Sequence, residues 1–478
     1  MMVTVFSAIY MAAFWLFLAY LGYVLIASSL PCLPLLRRKP ESTSPFDQAE
    51  YYGKNAQGPD RVALLESPVE GLGVRLDLFQ HTHRTLDVVC HTIHAGPTTS
   101  AFFDGILRAA ERGVRVRILL DGKASSIRPS VKRMMRALAA HPNIECRQYN
   151  PLHLLKPWKW HFLMHDKYIL SDGQYLLLGG RNIGDKFFAP DAYKGKISND
   201  RDVIVFRREE AESAGSAVDQ AQRYFDAMWQ VRDSVPLRPA RRDSDRLCAD
   251  LRAHADTFVR ENPAYLRHTL KGAFAHSMSA RRITFLYNPM EARRKAPWIW
   301  QQMQRIALGA KRSVTLQTPY ITANKGILSS FHAIASRVHL SILTNSVAST
   351  PNYPAYSNYY AQRRKFVRTG AHIYEYQNAH SIHGKAMIVD GRLGMIGSFN
   401  MDDRSMFLDT EVMLVVDSDA FAGVLSDAIS AYQAQSLCTR GENAYEIPAG
   451  IGHISVPVYK VPLLRVVSVF SLALRSFI

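Results

Sequence analysis

The pattern of apolar positions changes character along the chain. Residues 3–36 carry no charged side chain, and Phe14, Trp15, Leu16, Phe17, Leu18, Ala19, Tyr20 and Leu21 form an unbroken apolar run within them. A stretch of this length predicts a helix that spans a bilayer, for which about 20 residues suffice. From Val62 onward, short β-branched runs alternate with amphipathic stretches. Residues 87–90 predict a strand, 98–112 a helix closed by Gly113, and 114–120 another strand. The order returns as a helix over 298–310, a strand over 313–316, a helix over 325–336 and a strand over 338–343. This is the grammar of a parallel or mixed sheet covered by helices, and the fold class is α/β. Past Val461 the tail is largely apolar, with Arg465 and Arg475 its only charged residues. It reads as an interfacial helix lying on the bilayer, with a buried closing helix as the other reading.

Breaks in periodicity divide the chain. Residues 40–60 are rich in Pro, Ser, Gly and polar types, and Pro236, Pro239, Arg241 and Arg242 interrupt the pattern around 231–246. The expected organisation is an anchor over 1–38, a juxtamembrane linker over 39–61, a first α/β domain over 62–240, a second over 241–447 and the tail over 448–478.

Composition narrows the partners. With 478 residues, 47% hydrophobic and 21% charged, the chain buries a large core, and disorder of the whole is excluded. A net charge of +17 attracts polyanions, meaning nucleic acid or an anionic membrane. The apolar N-terminal run and tail favour the membrane, since neither serves a nucleic-acid enzyme, and no nucleic acid is expected. Arg37, Arg38 and Lys39 follow the apolar run at once, and the positive-inside tendency places the body of the protein on the cytoplasmic side. A secretory signal is disfavoured by the missing basic n-region and by the length of the run. Cys32, Cys90, Cys146, Cys248 and Cys438 are scattered, without zinc spacing, and read as reduced or buried. The groups His81/His83, His91/His94 and His380 lack an acidic or cysteine complement and read as non-metal.

The chemistry lies in a repeat. His165, Lys167 and Asp172 are followed after six residues by Gly179, Gly180, Arg181 and Asn182; His383, Lys385 and Asp390 are followed after six by Gly397, Ser398, Phe399 and Asn400. Downstream, Asp200-Arg201-Asp202 and Asp409-Thr410-Glu411 pair up at the heads of apolar strands. Because the residues after each Lys are apolar, the motif is expected on a strand, where positions i and i+2 share a face. Each His/Lys pair then points one way, and packing about a pseudo-twofold axis gives a pocket of imidazoles and ammonium groups suited to a phosphate. One imidazole attacks phosphorus while the other protonates the leaving alkoxide and later deprotonates the acceptor. Asn182 and Asn400, with Gly180 and Ser398, are expected around the phosphoryl oxygens. Asp202 and Glu411 are expected to fix the histidine tautomers. A lone strand histidine is more often a packed core residue, but a doubled His/Lys pair in register reverses that. Asp172 and Asp390, although part of the candidate catalytic signature, lie seven positions from their histidines and face away on a regular strand, so their expected part is support.

These motifs resemble the two-domain phospholipase D superfamily and, more narrowly, bacterial cardiolipin synthases. The resemblance covers residues 62–478 and includes Ala109-Ala110-Glu111-Arg112-Gly113-Val114, Met164 through Lys167, Gly179-Gly180-Arg181-Asn182-Ile183-Gly184-Asp185, Thr318-Pro319-Tyr320, Leu343-Thr344-Asn345-Ser346 and Ile373-Tyr374-Glu375-Tyr376. It implies two pseudo-twofold-related α/β sandwich domains with the site between them, an N-terminal transmembrane helix and a location in the bacterial inner membrane. The implied activity is phosphatidyl transfer that makes cardiolipin from phosphatidylglycerol and a second phospholipid through a phosphohistidine. In that scheme His165 is the nucleophile, His383 the acid and base, phospholipid the substrate, and neither metal nor other cofactor is required. The sequence departs from the family in two places. Ala348-Ser349-Thr350-Pro351-Asn352 lacks an acidic residue, and His91-Thr92-Ile93-His94 lacks a tyrosine. The same site also suits a phospholipase D releasing phosphatidic acid, and less well a nuclease or other phosphodiesterase, or a silent lipid-binding scaffold.

Overall fold

A computed structural model describes residues 2–29, 47–54, 57–208, 215–240, 242–322, 324–439, 444–448 and 450–474. Cys32, the basic flank Arg37 to Lys39, Arg241, residues 39–46, 55 and 56 of the expected linker and the last residues of the tail, Arg475 included, lie outside the described residues.

The strands in chain order are β1 (Asp60–Leu65), β2 (Thr85–Cys90), β3 (Arg115–Asp121), β4 (Ile144–Tyr149), β5 (Tyr168–Ser171), β6 (Tyr175–Gly179), β7 (Ser198–Asn199), β8 (Asp202–Arg207), β9 (Ser234–Pro236), β10 (Met278–Ser279), β11 (Arg282–Tyr287), β12 (Ser313–Gln317), β13 (His339–Asn345), β14 (His372–Tyr376), β15 (Ser381–Ile382), β16 (Ala386–Val389), β17 (Leu393–Gly397), β18 (Val412–Asp417), β19 (Ser436–Thr439) and β20 (Tyr445–Glu446). They build two large sheets of the same order, β10-β1-β8-β6-β5-β2-β3-β4-β9 and β11-β18-β17-β16-β12-β13-β14-β19-β20. In each, a parallel trio (β2-β3-β4, β12-β13-β14) adjoins an antiparallel half. The repeat in the sequence is therefore a repeat in three dimensions.

The central strands β5, β16, β17 and β18 are buried at every position. They read as continuous apolar runs because both faces are covered. One core passes between the sheets, joining Val89, Leu170 and Val203 to Ile283, Val389 and Ile396, with Tyr168 edge-on to Phe285 at 6.1 Å. The outer face of the first sheet has a core of its own, built on Phe79, Phe102, Phe103 and Met135. The helix Pro97–Glu111 in that layer ends where Gly113 takes φ +97°, a left-handed conformation glycine adopts without strain.

The division expected at residues 240/241 lies elsewhere in the structure. The helix Ser244–Glu261 packs beside Pro97–Glu111 through Arg252 on Glu111, and β10 joins the first sheet. The chain crosses to the second sheet only between Ser279 and Arg282. The prolines near 236 end a strand and do not open a new domain. The tail forms a helix, Lys460–Leu474, with Leu464 fully buried while Val466 and Val469 face outward. The N-terminal helix Met2–Ser29 contains a stretch, Ile9–Ser29, long and apolar enough to cross a membrane.

Candidate active site

Each motif histidine stands just before its strand and not on it: β5 starts at Tyr168 and β16 at Ala386. The lead-in pairs with the opposite lobe. Met164 bridges Thr410, and His165 N–H donates to Thr410 O (3.1 Å); β15 runs parallel to β7, and His383 N–H donates to Asn199 O (2.6 Å). The expectation of a regular strand from His to Lys fails because that stretch is claimed by the other lobe's backbone. The shared direction of each pair survives. Lys167 Nζ donates to the carbonyl of His165, and Lys385 Nζ to that of His383.

Each imidazole meets a carboxylate from across the molecule. His165 Nδ1 lies 2.9 and 3.0 Å from the two oxygens of Glu411, which is fully buried and also accepts from the hydroxyls of Ser398 and Ser405. His383 Nδ1 donates to Asp200 Oδ2, and Lys385 Nζ is 3.9 Å from the same oxygen. A carboxylate only accepts, so the proton sits on Nδ1; the Nε2 lone pair of His165 is left for chemistry, and that of His383 faces the Lys385 ammonium at 3.3 Å.

Asp202 was expected in this role and does not have it. Its carboxylate is buried against Arg75 (2.8 Å) and Arg181 (2.6 Å). The sheet registers explain the substitution. Gly179 pairs with Asp202 and Gly397 with Met413, so Asp200 is the equivalent of Glu411 and Asp202 that of Met413. Aligning the two segments on their alternating carboxylates slipped them by one residue pair, which preserves the face and changes the partner.

Electrostatics separates the two histidines. Burial, then Lys167, Lys385 and His383, hold His165 well below its ordinary value. Burial and Lys385 lower His383 to about 4 while Asp200 pulls upward. Burial would raise the Asp200 carboxyl, but Lys385 and His383 overcome it and hold Asp200 well below the usual range. Burial pushes Glu411 up to about 7, against Lys167 and the serine hydroxyls. Burial lowers Lys167 to about 7 with Glu411 opposing, and it lowers Lys385 with Asp200 opposing. His383 thus faces a firmly ionised partner and His165 a weakly ionised one.

The remaining expected residues divide. Asn182 and Asn400, each 8% exposed, follow β6 and β17. Asn182 Oδ1 accepts from Thr92 N–H at 3.3 Å, and Asn400 Oδ1 has no partner among the described residues. Gly180 and Ser398 were expected on substrate and instead serve the carboxylates: a Cβ at Gly180 would collide with Asp200 Oδ1, and Ser398 tethers Glu411. Asp172 and Asp390 are turn residues outside the site. Each has positive φ, +53° and +57°, and is followed by a glycine also at positive φ. Asp172 accepts from the N–H groups of His83, Arg84 and Thr85 at 2.8 Å, and Asp390 from those of Lys311, Arg312 and Ser313. Each carboxylate thereby fixes the start of the neighbouring strand, β2 or β12.

Sequence reasoning missed Asp200, Ser405 and His91. His91 donates from Nδ1 to Met164 O (2.8 Å) and sets its ring edge-on to His165 at 4.7 Å. Its counterpart environment at His383 is aromatic, with Phe187 at 5.6 Å and Tyr320 at 6.4 Å. The missing first-lobe tyrosine is thus a threonine, Thr92, with the adjacent His91 supplying the ring; β2 lying next to β5 was the signal. Burial raises the Cys90 and Cys146 thiols to about 12. Among the described residues no group of three or more His, Cys, Asp and Glu side chains is placed to hold a metal ion.

The chain is similar to known proteins in sequence and in fold. A sequence-family model described as cardiolipin synthase, PLD-like domain, matches residues 76–229 and 304–432. Cardiolipin synthase C of Escherichia coli K12 is 27% identical over 77% of this chain and 84% of its own length. An uncharacterized protein of Helicobacter pylori J99 is 27% identical over 82% and 85%. The crystal structure of the phosphatidylserine synthase of Haemophilus influenzae Rd KW20 superposes with a TM-score of 0.63 at 14% identity, covering 95% of this chain and all of that one, a likeness of fold.

Proposed function

Because the chain belongs to the PLD-like family of cardiolipin synthase, a family of phospholipid transferases, we propose that it makes cardiolipin by phosphatidyl transfer through His165. The observation that carries the reading is the crossed pairing of His165 with Glu411 and His383 with Asp200, which ties one histidine from each lobe into a single buried site.

His165, neutral and with Nε2 unprotonated, attacks the phosphorus of a donor phospholipid. The bond from phosphorus to the headgroup oxygen breaks, and His383, as imidazolium, gives its proton to the departing alkoxide. The firmly ionised Asp200 supports that imidazolium once an anionic phosphodiester has entered. Lys167 and Lys385 offset the charge on the two non-bridging oxygens, and the amides of Asn182 and Asn400 donate to them. In the second half, neutral His383 takes the proton from a hydroxyl of phosphatidylglycerol. The resulting oxygen attacks phosphorus, the N–P bond breaks and His165 is restored. The lobes pack on one shared core, so the site is preorganised for both halves. Asp172 and Asp390 act through the strands they fix.

The test uses the full chain in vesicles of phosphatidylglycerol, with and without phosphatidylethanolamine. Cardiolipin is the expected product, and its formation stops in both H165A and H383A. Phosphatidic acid as the only product would overturn the transfer reading and leave the family assignment in place.

A further inference from the structure

The loop between β4 and β5, which runs into His165, carries an exposed apolar tip. Leu154 and Leu155 are 62% and 67% exposed, and Trp158 beside them is 39% exposed. Apolar side chains displayed together in this way mark a contact surface. The carbonyls from His153 to Pro157 all have partners. The carbonyl of His153 accepts from Trp160 Nε1 and Lys156 N–H, that of Lys156 from Lys159 N–H, and that of Pro157 from Trp160 N–H. The carbonyls of Leu154 and Leu155 are satisfied by the N-terminal helix, accepting from the hydroxyls of Tyr20 (3.0 Å) and Tyr23 (2.8 Å). Each carbonyl paired in this way lowers the cost of bringing the loop to a bilayer, where no water is left to bond it.

The level of those two bonds fixes the depth. Tyr20, Tyr23 and the buried Ala27 share the helix face that meets the loop. Tyr20 stands nine residues before Ser29, the last described residue of the helix, which at 1.5 Å per residue is about 13 Å along the axis; Tyr23 is about 9 Å from it. A segment bonded there lies below the surface of any membrane the helix crosses.

We propose that residues 153–160 form a membrane-inserting hairpin, clamped to the anchor by Tyr20 and Tyr23, that dips among the acyl chains and brings phospholipid headgroups level with His165. The occupant of the apolar surface is the bilayer, because the surface is continuous with a helix that itself spans it. Exposed Lys156 reaches back to lipid phosphates, and Trp158 takes the interfacial position usual for its ring. Beyond the tip, Leu163 N–H donates to Asp409 and Met164 N–H to Asp121, which fix the loop end carrying His165. The proposal rests on phospholipid being the substrate.

The decisive experiment reads depth without needing turnover. Leu154→Cys is labelled with an environment-sensitive fluorophore in the full chain with Cys32 and Cys248 changed to Ser, the other cysteines being buried. The protein is reconstituted in phosphatidylglycerol–phosphatidylethanolamine vesicles carrying bromine at defined acyl positions. Quenching by acyl-chain bromine and protection from aqueous iodide are expected; quenching by iodide alone would overturn the proposal. A second arm compares the double variant L154E/L155E on vesicle lipid and on water-soluble dibutyryl phosphatidylglycerol. A loss of about tenfold or more on vesicles, with soluble turnover within about twofold, is expected. Equal losses on both would overturn it. Should the parent turn over neither lipid, the functional reading fails while the label depth still decides the hairpin.

Discussion

Replacing Asp200 with Asn removes one charge from the site at nearly constant volume. Asn keeps one acceptor oxygen, for His383 Nδ1–H, and gives up the bond from the Arg201 N–H that Asp200 Oδ1 accepts at 2.9 Å, a bond worth about 1 kcal/mol. What is lost is the field of a carboxylate held firmly ionised by Lys385 and His383. Opposite charges about 4 Å apart at an effective dielectric of 20 interact by about 4 kcal/mol. Applied to the imidazolium that protonates the leaving group, this is a loss of about three decades in rate. The comparison is Asp202→Asn, two residues away on the same backbone face. Asp202 neutralises Arg75 and Arg181 in the core, and stranding those guanidiniums costs about 3–5 kcal/mol of stability. D200N should therefore melt near the parent temperature and turn over about a thousandfold more slowly, with its His383 limb moved to lower pH. D202N should melt early and, when folded, turn over nearly as the parent. Calorimetry and a pH profile of cardiolipin formation separate the two. A D200N enzyme within tenfold of the parent, or a D202N enzyme that is stable and inactive, would refute the assignment of the orienting carboxylate.

Lys167, lowered to about 7, is a cation only below that pH in the free enzyme, so kcat/KM should fall as pH rises through about 7. K167R, charged throughout, should lose that limb; a parent profile flat to pH 9 would count against a charged Lys167. Asp390 holds three N–H groups, and D390A should lose about 2 kcal/mol at neutral pH by denaturant titration, allowing for its partial exposure. Its carboxyl is lowered because the N–H donors outweigh burial, so this stability is present above the ordinary carboxylate value near 4 and is lost as pH falls below it. The gap between D390A and the parent should narrow as pH falls below the ordinary carboxylate value. His91→Ala opens space beside His165 and should lower kcat by about tenfold to a hundredfold, with H91F restoring most of it through ring packing. If H91F is no better than H91A, His91 acts through its nitrogen and not through its shape.

The doubled His/Lys pattern made the two-lobe architecture legible, because a motif repeated in register presupposes a repeated sheet. Local periodicity located the helix Pro97–Glu111 and strands β3, β12 and β13 to within a few residues. Pairing across the lobes was not legible. Alternating carboxylates at Asp200 and Asp202 put both on one face, and only the contact of Asn199 with His383 says which reaches the ring. The domain limit was misplaced for a related reason. Pro236 and Pro239 interrupt local structure as a linker would, while the return of β10 to the first sheet depends on pairing with Arg61 and Val62, far back in the chain. Position relative to the fold also decided Ser398 and Gly180, whose roles depend on which carboxylate lies beneath them.

The central claim is that phosphatidyl transfer passes through His165. Phosphate-labelled phosphatidyl-p-nitrophenol, whose leaving group departs without a proton from His383, presented in vesicles to the H383A variant, quenched in base and mapped by peptide, tests it most directly. Without the partner that activates the acceptor, label should accumulate on the peptide containing His165 and be absent from H165N. Label on the His383 peptide of the parent enzyme, or no protein-bound label while cardiolipin still forms, would contradict the account.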